Sequence, residues 1–292
     1  MSALTIGIAS FENPSALDRT MQAIRHCSRS DWHLTVFDNA SQDEGVRQVI
    51  ARHCAEEPRI TAVWNQTNVG YCGAINAMLL ACQTDYFLYF DNDATIQTIA
   101  YDLAMMQTLD AFHEVGLLFP RPFIHYPIPR PAYDEVLWGA GCCWIVNMLA
   151  AKDVWTVQEE FFDRHLGHHE EVDFCTRIRM AGWKIAAQRD VFITHEEHAS
   201  RSPEANERIN RGVVNWMHKN ETKFGGKLQN YYSPNVMRYP LWPPHALYLE
   251  EYFLRNLPQD FNENPEEVVI NGERFDLIKV PRTRGFYRRR II

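Results

Sequence analysis

Short apolar runs alternate with helix-length amphipathic segments over the first two-thirds of the chain. The runs at residues 4–10, 32–41 and 59–66 are rich in β-branched and aromatic residues, which favour strands. The segment at about residues 15–27, and the one that follows residue 41 and ends at about residue 55, have the length and polarity of surface helices. Alternation of strands and helices is typical of a parallel sheet with helices on its faces. The pattern therefore predicts an α/β fold.

The stretch DYFLYFDNDATI, residues 85–96, contains five large apolar residues in succession. Such a run is typical of a strand that is buried on both faces in the middle of an α/β sheet. It ends in two carboxylates, Asp91 and Asp93, separated by Asn92. Like charges this close raise each other's pKa unless a cation lies between them. The pattern indicates a divalent-metal site, although a solvated turn that caps the next helix would use the same residues.

Polar residues follow the first two predicted strands, at 10–13 and 38–41, and a glycine-rich loop, NVGYCGAIN, occupies residues 68–76. Because α/β proteins bind ligands beyond the carboxyl ends of their strands, we expect these residues to line one crevice. The loop would present backbone N–H groups to an anion at a helix start. Each element also has a structural interpretation: helix capping, a tight turn, and a buried amide satisfied by the backbone at Asn76.

A later segment, residues 161–185, is predicted to begin as a loop and to become helical near Glu170. Glu170 and Glu171 fall at the helix start, where the helix dipole stabilises carboxylates. Asp173 and Arg177 have the spacing of an ion pair on one helix face, which would equally suit a solvated charged face. The predicted apolar face consists of Val172, Phe174, Cys175, Ile178 and Met180.

A short strand is predicted at residues 191–194, and it leads directly into His195. An imidazole together with carboxylates is a suitable ligand set for Mn²⁺. A single histidine is more often structural, so the residue alone does not decide between the two roles.

Composition limits the class of protein. The chain has 292 residues, of which 46% are hydrophobic and 23% charged, enough for one large domain or a domain with an appendage. It has no run of 18 apolar residues and no secretory pattern at its amino terminus, so we expect no spanning helix. The seven cysteines include an adjacent pair and form no C-x-x-C motif, which favours a reducing cytoplasm over a disulfide scaffold.

Charge is uneven along the chain. The net charge of -8 argues against extensive nucleic-acid binding, yet the last fifteen residues, IKVPRTRGFYRRRII, carry six basic groups and no acidic group. This basic tail is either a solvated end or a local site for a polyanion such as a nucleic acid or an anionic lipid surface. The preceding EEVVINGERFDLIKV predicts a hairpin that turns at Asn271 and Gly272.

Seven segments, in order, resemble the inverting family 2 glycosyltransferases of the GT-A fold. The resemblance covers about residues 4–200, and the ordered set is more specific than any one segment. It implies a mostly parallel central sheet flanked by helices in a catalytic domain at residues 1–218. The region 219–292 would then be an extension for acceptor recognition, packing or assembly. The segments are IGIASFENP, VFDNASQD, NVGYCGAIN, YFDNDA, WGAGCCWIVN, FFDRHLGHHEEVDFCTRIRMAGWKI and VFITH.

The resemblance also implies roles for individual residues. Asp91, Asp93 and His195 would hold Mn²⁺ or Mg²⁺ at the diphosphate of a nucleotide sugar. The general base would be the second carboxylate at the helix start, Glu171, but Glu170 stays a candidate because this chain has Glu-Glu where the family has Glu-Asp. The nucleotide site would comprise Ser10, Glu12, Asp38, Asn68, Gly70, Gly73, Asn76 and Asn92, and the donor-sugar pocket Trp138, Gly139 and Gly141, unless the latter form only a tight turn beside a core tryptophan.

The implied reaction is direct displacement at the sugar, with inversion and no covalent intermediate. A carboxylate at Asp38 can accept the N3–H of uracil or thymine, so we expect a UDP-sugar or a dTDP-sugar, with uridine preferred. The acceptor would be a saccharide, a lipid-linked glycan or another hydroxyl compound, reached in the cytoplasm or at the membrane periphery. The oligomeric state stays open.

Two other classes fit the pattern less well. A sugar-1-phosphate nucleotidyltransferase would need a basic glycine-rich loop after the first strand, where this chain has IASFENPSALDR with Glu12. A non-catalytic nucleotide-sugar-binding protein would lack the base or the metal ligands, which are all present here.

Overall fold

The computed structural model describes residues 4–122, 124–125, 128–155, 160–162, 170–196, 267–270, 273–279 and 286–290. The predicted loop at 163–169 and most of the predicted extension lie outside these residues. The helices are α1 (Pro14–Cys27), α2 (Glu44–Glu56), α3 (Gly70–Ala81), α4 (Tyr101–Ala111), α5 (Met148–Asp153) and α6 (Glu170–Met180). The strands are β1 (Leu4–Ser10), β2 (Trp32–Asp38), β3 (Ile60–Trp64), β4 (Tyr86–Asp91), β5 (Ala94–Ile96), β6 (Val115–Arg121), β7 (Ile124–His125), β8 (Ile128–Pro129), β9 (Asp134–Glu135), β10 (Trp138–Gly139), β11 (Cys143–Asn147), β12 (Lys184–His195), β13 (Glu267–Ile270), β14 (Glu273–Lys279) and β15 (Phe286–Arg290).

The central sheet has the strand order β3-β2-β1-β4-β11-β6-β12-β9-β8. The first four strands of this order are parallel, as the sequence predicts. β11 is antiparallel to both β4 and β6, whereas β12 is parallel to β6. The sheet is therefore mixed. The connection between β6 and β11 contains short strands rather than a crossover helix, and an antiparallel neighbour requires no such helix.

Helices cover both faces of this sheet. Along β4, Leu88 and Phe90 face a core formed with α1, α2 and α4, while Phe87 and Tyr89 face a core formed with α3, α5 and α6. All four side chains are completely buried, which explains why this strand is apolar from Tyr86 to Phe90. The predicted α/β fold with two helical layers is thus confirmed.

β12 is longer than the predicted strand at 191–194. It begins at Lys184, and its pairing with β6 shifts register between Ala187 and Phe192. A bulge of this kind interrupts the alternation of inward and outward residues, so the sequence pattern shows only the last part of the strand.

A separate three-stranded antiparallel sheet is formed by β13, β14 and β15. Ile270 pairs with Glu273 across the first two strands, as expected for the predicted hairpin. The third strand belongs to the basic tail and pairs with β14, with Arg289 opposite Asp276. Residues 286–290 of the tail therefore form part of a sheet.

Within the part of the chain that the structure describes, no helix is both long enough and apolar enough to cross a bilayer.

Candidate active site

Three potential metal ligands meet at the end of β4. Asp91 ends that strand, Asp93 follows two residues later, and His195 ends β12. β12 pairs with β5, which places His195 opposite Ala94. The imidazole Nε2 of His195 therefore lies 3.1 Å from Asp93 Oδ1 and 3.6 Å from Asp91 Oδ2.

This group fits a divalent cation. The three ligand atoms lie within 4.8 Å of one another, a spacing that suits one ion with ligands at about 2.0–2.6 Å. Burial raises the pKa of Asp91 to about 6, against the lowering effects of the Tyr89 hydrogen bond and of His195, and the charge of Asp93 raises it further. A cation would relieve this penalty, and two carboxylates with an imidazole are ligands that Mn²⁺ accepts.

Tyr89 supports the first of these carboxylates and was not predicted from the sequence. Its hydroxyl donates a hydrogen bond of 2.7 Å to Asp91 Oδ1. Residues two apart in a strand point to the same face, so the spacing between Tyr89 and Asp91 was a usable signal.

The ends of β1 and β2 form the predicted base-binding edge. Ser10 and Asp38 are paired in register and both are buried. No hydrogen-bond partner for the Ser10 hydroxyl exists among the described residues, while Asp38 Oδ1 accepts a hydrogen bond of 2.5 Å from the Ser41 hydroxyl. Trp64, which the sequence pattern did not indicate as a site residue, lies opposite Asp38 at the end of β3.

Glu12 and Asn92 link the neighbouring loops of this edge. The Glu12 carboxylate accepts hydrogen bonds from the backbone N–H groups of Gln42 at 2.7 Å and Asp43 at 3.1 Å. The Asn92 side-chain amide donates to the carbonyl oxygens of Phe11 at 3.3 Å and Glu12 at 3.2 Å. These contacts hold the loop after β1 against the loop after β2 and against Asn92. Contacts of Glu12 and Asn92 with a nucleotide stay predictions.

The glycine-rich loop is fixed to the end of β2. Asn39 accepts a hydrogen bond from Val69 N at 2.8 Å and donates one to Gly70 O at 3.2 Å. Asn68 Oδ1 accepts from Gly70 N at 2.8 Å. Gly70 has a φ of 75°, a left-handed conformation that favours glycine. A Cβ atom on Gly73 would lie 2.9 Å from the Val69 side chain, so the close turn requires glycine there too.

Asn76 has its side chain in the interior, not at the crevice edge. Its Oδ1 accepts hydrogen bonds from Phe161 N at 3.1 Å and Phe162 N at 2.8 Å, and its Nδ2 donates to Phe162 O at 2.7 Å. This is the structural alternative that the sequence left open. Asn76 anchors the segment 160–162, and a nucleotide contact for it stays a prediction.

We expect Asn76→Ala to lower the free energy of unfolding by about 2–3 kcal/mol, because it leaves buried backbone groups of Phe161 and Phe162 unpaired. Urea denaturation measures the change. Asn65→Ala is the matched control, since it removes a hydrogen bond to Thr67 O at an exposed position, and it should have little effect. Equal losses in the two variants would contradict this role of Asn76.

The segment around Gly141 lies beside both β4 and α6. Cys142 O accepts a hydrogen bond of 2.8 Å from Asp91 N. A Cβ atom on Gly141 would lie 2.8 Å from the Tyr71 hydroxyl and 3.8 Å from Glu171 Cβ. A Cβ atom on Gly139 would lie 2.5 Å from the Phe119 ring. The backbone between Trp138 and Cys142 therefore passes through a narrow space that any larger residue at its glycines would fill.

Glu170 and Glu171 begin α6 as predicted. The ionised form of each carboxyl group is destabilised. Burial, and then the charge of Glu171, raise the pKa of Glu170 to about 8. Burial also raises the pKa of Glu171, and Asp91 contributes in the same direction. The buried Glu170 Oε2 has no hydrogen-bond partner among the described residues. The pair therefore retains a proton more readily than two solvated carboxylates do, and Glu170 is the better candidate to carry it.

Tyr71, which the sequence pattern did not indicate, lies near carboxylates of both β4 and α6. Its hydroxyl donates to Gly141 O at 3.0 Å. Burial raises its pKa well above the usual value, and the charges of Asp91, Glu170 and Glu171 raise it further. All three carboxylates are thus close enough to Tyr71 to share one electrostatic environment.

The predicted ion pair on α6 is present and buried. Arg177 Nε lies 2.9 Å from Asp173 Oδ2. Arg177 also donates to Val154 O at 2.7 Å and to Phe161 O. Of the predicted apolar face, Phe174, Cys175 and Ile178 are buried, whereas the side chains of Val172 and Met180 are outside the described part. The charged pair therefore fixes α6 to the preceding segment instead of forming a solvated face.

A sheet of this topology with a carboxylate-rich edge beyond its parallel strands has the GT-A type of α/β fold. Residues 5–119 match the family described as Glycosyl transferase family 2. The amino-terminal part of the chain is therefore similar to glycosyl transferase family 2. The matched residues include Ser10, Asp38, Asp91 and Asp93, while His195 and Glu171 lie beyond them.

Two curated proteins are similar to this chain. The uncharacterized protein y4gI of Sinorhizobium fredii is 24% identical over 107 residues, which cover 37% of this chain and only 12% of that protein. The putative colanic acid biosynthesis glycosyl transferase WcaA of Escherichia coli is 21% identical over 228 residues, which cover 73% of this chain and 79% of WcaA.

Three solved structures share the fold. The mannosyltransferase PcManGT from Pyrobaculum calidifontis, in complex with GDP-Man and Mn²⁺, has a TM-score of 0.59 and 16% identity, with coverage of 86% of this chain and 70% of that one. GalNAc-T7 with UDP, GalNAc and Mn²⁺ has a TM-score of 0.58 and 11% identity, covering 67% and 44%. S. aureus TarS has a TM-score of 0.54 and 12% identity, covering 98% and 60%.

Proposed function

We propose that this protein transfers a sugar from a nucleotide diphosphate donor to an acceptor hydroxyl, with inversion at the sugar. The observation that supports this most is the meeting of two chemical groups at one edge of the sheet. Asp91, which belongs to the metal-ligand set with Asp93 and His195, donates its N–H to Cys142 O. The neighbouring Gly141 lies beside Glu171 of the carboxylate pair on α6.

The metal-ligand set would hold Mn²⁺ or Mg²⁺, which supplies Lewis-acid stabilisation of the negative charge that develops on the leaving diphosphate. The structures of PcManGT and GalNAc-T7 each contain Mn²⁺, which supports a metal in the same fold. In this chain Asp91 and Asp93 come from one strand end, and His195 is brought to them by β12.

Glu171 is the proposed general base. An acceptor hydroxyl has a pKa far above 7, so a carboxylate within hydrogen-bond reach must take its proton during attack. Burial and the charge of Glu171 raise the pKa of Glu170 to about 8, which makes Glu170 the member of the pair that more readily holds a proton and supports Glu171 as the base. A single displacement then inverts the sugar without a covalent intermediate on the protein.

The proposed activity is tested by measuring donor hydrolysis across a panel of sugar nucleotides, with Mn²⁺ and with EDTA. We expect release of the nucleoside diphosphate from one class of donor, dependent on the metal. Binding of a sugar nucleotide with no turnover, in the presence of Mn²⁺ and candidate saccharide acceptors, would support a non-catalytic binding protein instead.

The donor base is proposed to be uracil. Asp38 is buried at the end of β2, and its Oδ1 accepts a hydrogen bond from Ser41. The other carboxylate oxygen, Oδ2, would accept a hydrogen bond from an N–H group of the base. The N3–H of uracil supplies that donor, whereas cytosine has no such proton.

We therefore expect UDP to bind more tightly than CDP by roughly tenfold, in line with one charge-assisted hydrogen bond of about 1.5 kcal/mol or more. Isothermal titration calorimetry with both nucleotides measures the difference. Asp38→Asn should reduce it, because an amide oxygen is a weaker acceptor than a carboxylate. Tighter binding of CDP than of UDP to the wild-type protein contradicts the proposal.

The acceptor side of the proposal is broader. We propose a hydroxyl of a saccharide or a lipid-linked glycan as the acceptor, and recognition, packing or assembly as the role of residues 219–292. The strand β15 contains three consecutive arginines, Arg288 to Arg290, and the proposal extends to a polyanionic acceptor at this basic tail.

A further inference from the structure

Tyr89 holds the carboxylate of Asp91 in one orientation. The tyrosine side chain is fully buried, and its hydroxyl donates to Asp91 Oδ1 at 2.7 Å. The other carboxylate oxygen, Oδ2, lies 3.6 Å from His195 Nε2. One oxygen of Asp91 is thus engaged by the protein, and the second is directed towards the other two residues of the metal-ligand set.

The ring of Tyr89 is itself fixed by aromatic packing. It stacks on Trp144 with ring centroids 5.3 Å apart and an interplanar angle of 25°, and Tyr71 contacts it edge-on at 5.6 Å. Trp144 stacks on Phe162 at 5.6 Å, and Phe162 on Phe174 at 4.4 Å, both at 25°. We call these four stacked rings, Tyr89, Trp144, Phe162 and Phe174, the aromatic column.

The aromatic column connects β4, which ends in Asp91, to α6, which begins with Glu170 and Glu171. Tyr89 is on β4, Trp144 on β11 and Phe174 on α6, one turn after Glu170 and Glu171. Phe162 is held through its backbone by Asn76. Offset-stacked aromatic pairs resist displacement because each ring is packed against the next. The Tyr89 hydroxyl therefore has a defined position relative to both halves of the site.

We propose that Tyr89 is a positioning residue for metal binding, which acts by orienting Asp91. The inference rests on the proposed function, since it needs a cation at Asp91, Asp93 and His195. Hydrogen bonds from neighbouring groups to a ligating carboxylate fix its orientation, and their removal typically weakens metal affinity by about 10- to 100-fold. A tyrosine that was buried only to fill the core would have no such effect when its hydroxyl alone is removed.

The test compares Tyr89→Phe with Tyr86→Phe. Both substitutions remove one hydroxyl from a buried tyrosine of β4, but the Tyr86 hydroxyl donates to Asp110 on α4 and not to a metal ligand. Phenylalanine keeps the ring and its stacking. Binding of Mn²⁺ is followed by the loss of the free-ion EPR signal, with UDP and then GDP present and no sugar donor, so that no turnover contributes.

We expect the Mn²⁺ dissociation constant to rise about tenfold or more for Tyr89→Phe and to stay within about twofold for Tyr86→Phe. In an Asp91→Asn background, whose own affinity is already reduced, the Tyr89→Phe substitution should have no further effect. This double-mutant comparison also gives a result that does not depend on a small loss of stability in either single variant.

Wild-type affinity in Tyr89→Phe overturns the inference and leaves the proposed function intact. Equal weakening in the two tyrosine variants also overturns it, because a general disturbance of β4 would then explain the result. If the wild-type protein binds no Mn²⁺ with either nucleotide, the proposed metal site is wrong, and the role of Tyr89 is overturned with it.

Discussion

Replacing Asp93 with alanine is expected to abolish sugar transfer while the fold is retained. Asp93 Oδ1 lies 3.1 Å from His195 Nε2, and without this carboxylate only Asp91 and the imidazole are left to hold a cation. A metal ion contributes several kcal/mol to the stabilisation of a phosphoryl leaving group, so transfer should fall by roughly 10³-fold or more. The rate of transfer at saturating Mn²⁺ measures the effect, and circular dichroism confirms the fold.

Asp85→Ala is the matched control for this variant. Asp85 precedes the same strand at its opposite end and is exposed, so its removal changes the net charge equally without touching the metal-ligand set. Its transfer rate should equal that of the wild type. Mn²⁺-dependent transfer that survives in Asp93→Ala would rule out the proposed metal site.

The second large effect is expected for Glu171→Gln. Glutamine keeps the size of the side chain and the helix, but it cannot accept the proton of the acceptor hydroxyl. Turnover should fall by roughly 10²-fold or more, which is the usual contribution of a general base. Binding of the nucleotide should be unchanged, because the donor contacts are made at other strand ends. Single-turnover kinetics and calorimetry separate the two quantities.

Two further variants decide which carboxylate is the base. Glu170→Gln should cost less turnover than Glu171→Gln, and a larger loss in Glu170→Gln would reverse the assignment. Glu114→Gln serves as the control, since Glu114 is an exposed residue that pairs with Lys184. It should behave as the wild type does.

The pH dependence of transfer gives an independent check on the base. Burial raises the pKa of Glu171 above its ordinary value of 4.5, so the carboxylate is protonated, and unable to act, up to a higher pH than a solvated glutamate. The transfer rate of the wild type should therefore rise with pH above the range in which ordinary carboxylates ionise. This rise should be absent from the residual activity of Glu171→Gln.

Local pattern was sufficient to predict the parallel half of the sheet and the place of Asp91 and Asp93 in the fold. β1 to β4 are short runs separated by helices, and β4 is buried on both faces, so each leaves a clear signal in the sequence. The position of Asp91 and Asp93 at a strand end followed from the same signal. The convergence of His195 on them was expected only from its residue type and from the family resemblance.

The remaining features depend on contacts between distant segments. The antiparallel direction of β11 follows from the way its chain returns to the sheet, and the bulge of β12 hides most of that strand from a pattern search. Asn76 satisfies backbone groups of residues far along the chain, which nothing next to it in sequence indicates. Tyr71 contacts Gly141, a residue 70 positions further along the chain, so nothing local in the sequence indicates its place in the site.

The pairing of β12 with β5 has a consequence for biosynthesis. A ribosome makes the chain from its amino terminus, and amino-terminal parts fold first, so Asp91 and Asp93 are synthesised well before His195. Until β12 has emerged and paired beside Ala94, the nascent chain presents two neighbouring carboxylates without the imidazole. The proposed ligand set is therefore complete only after β12 has been synthesised, and a cation that requires all three ligands would bind after that point.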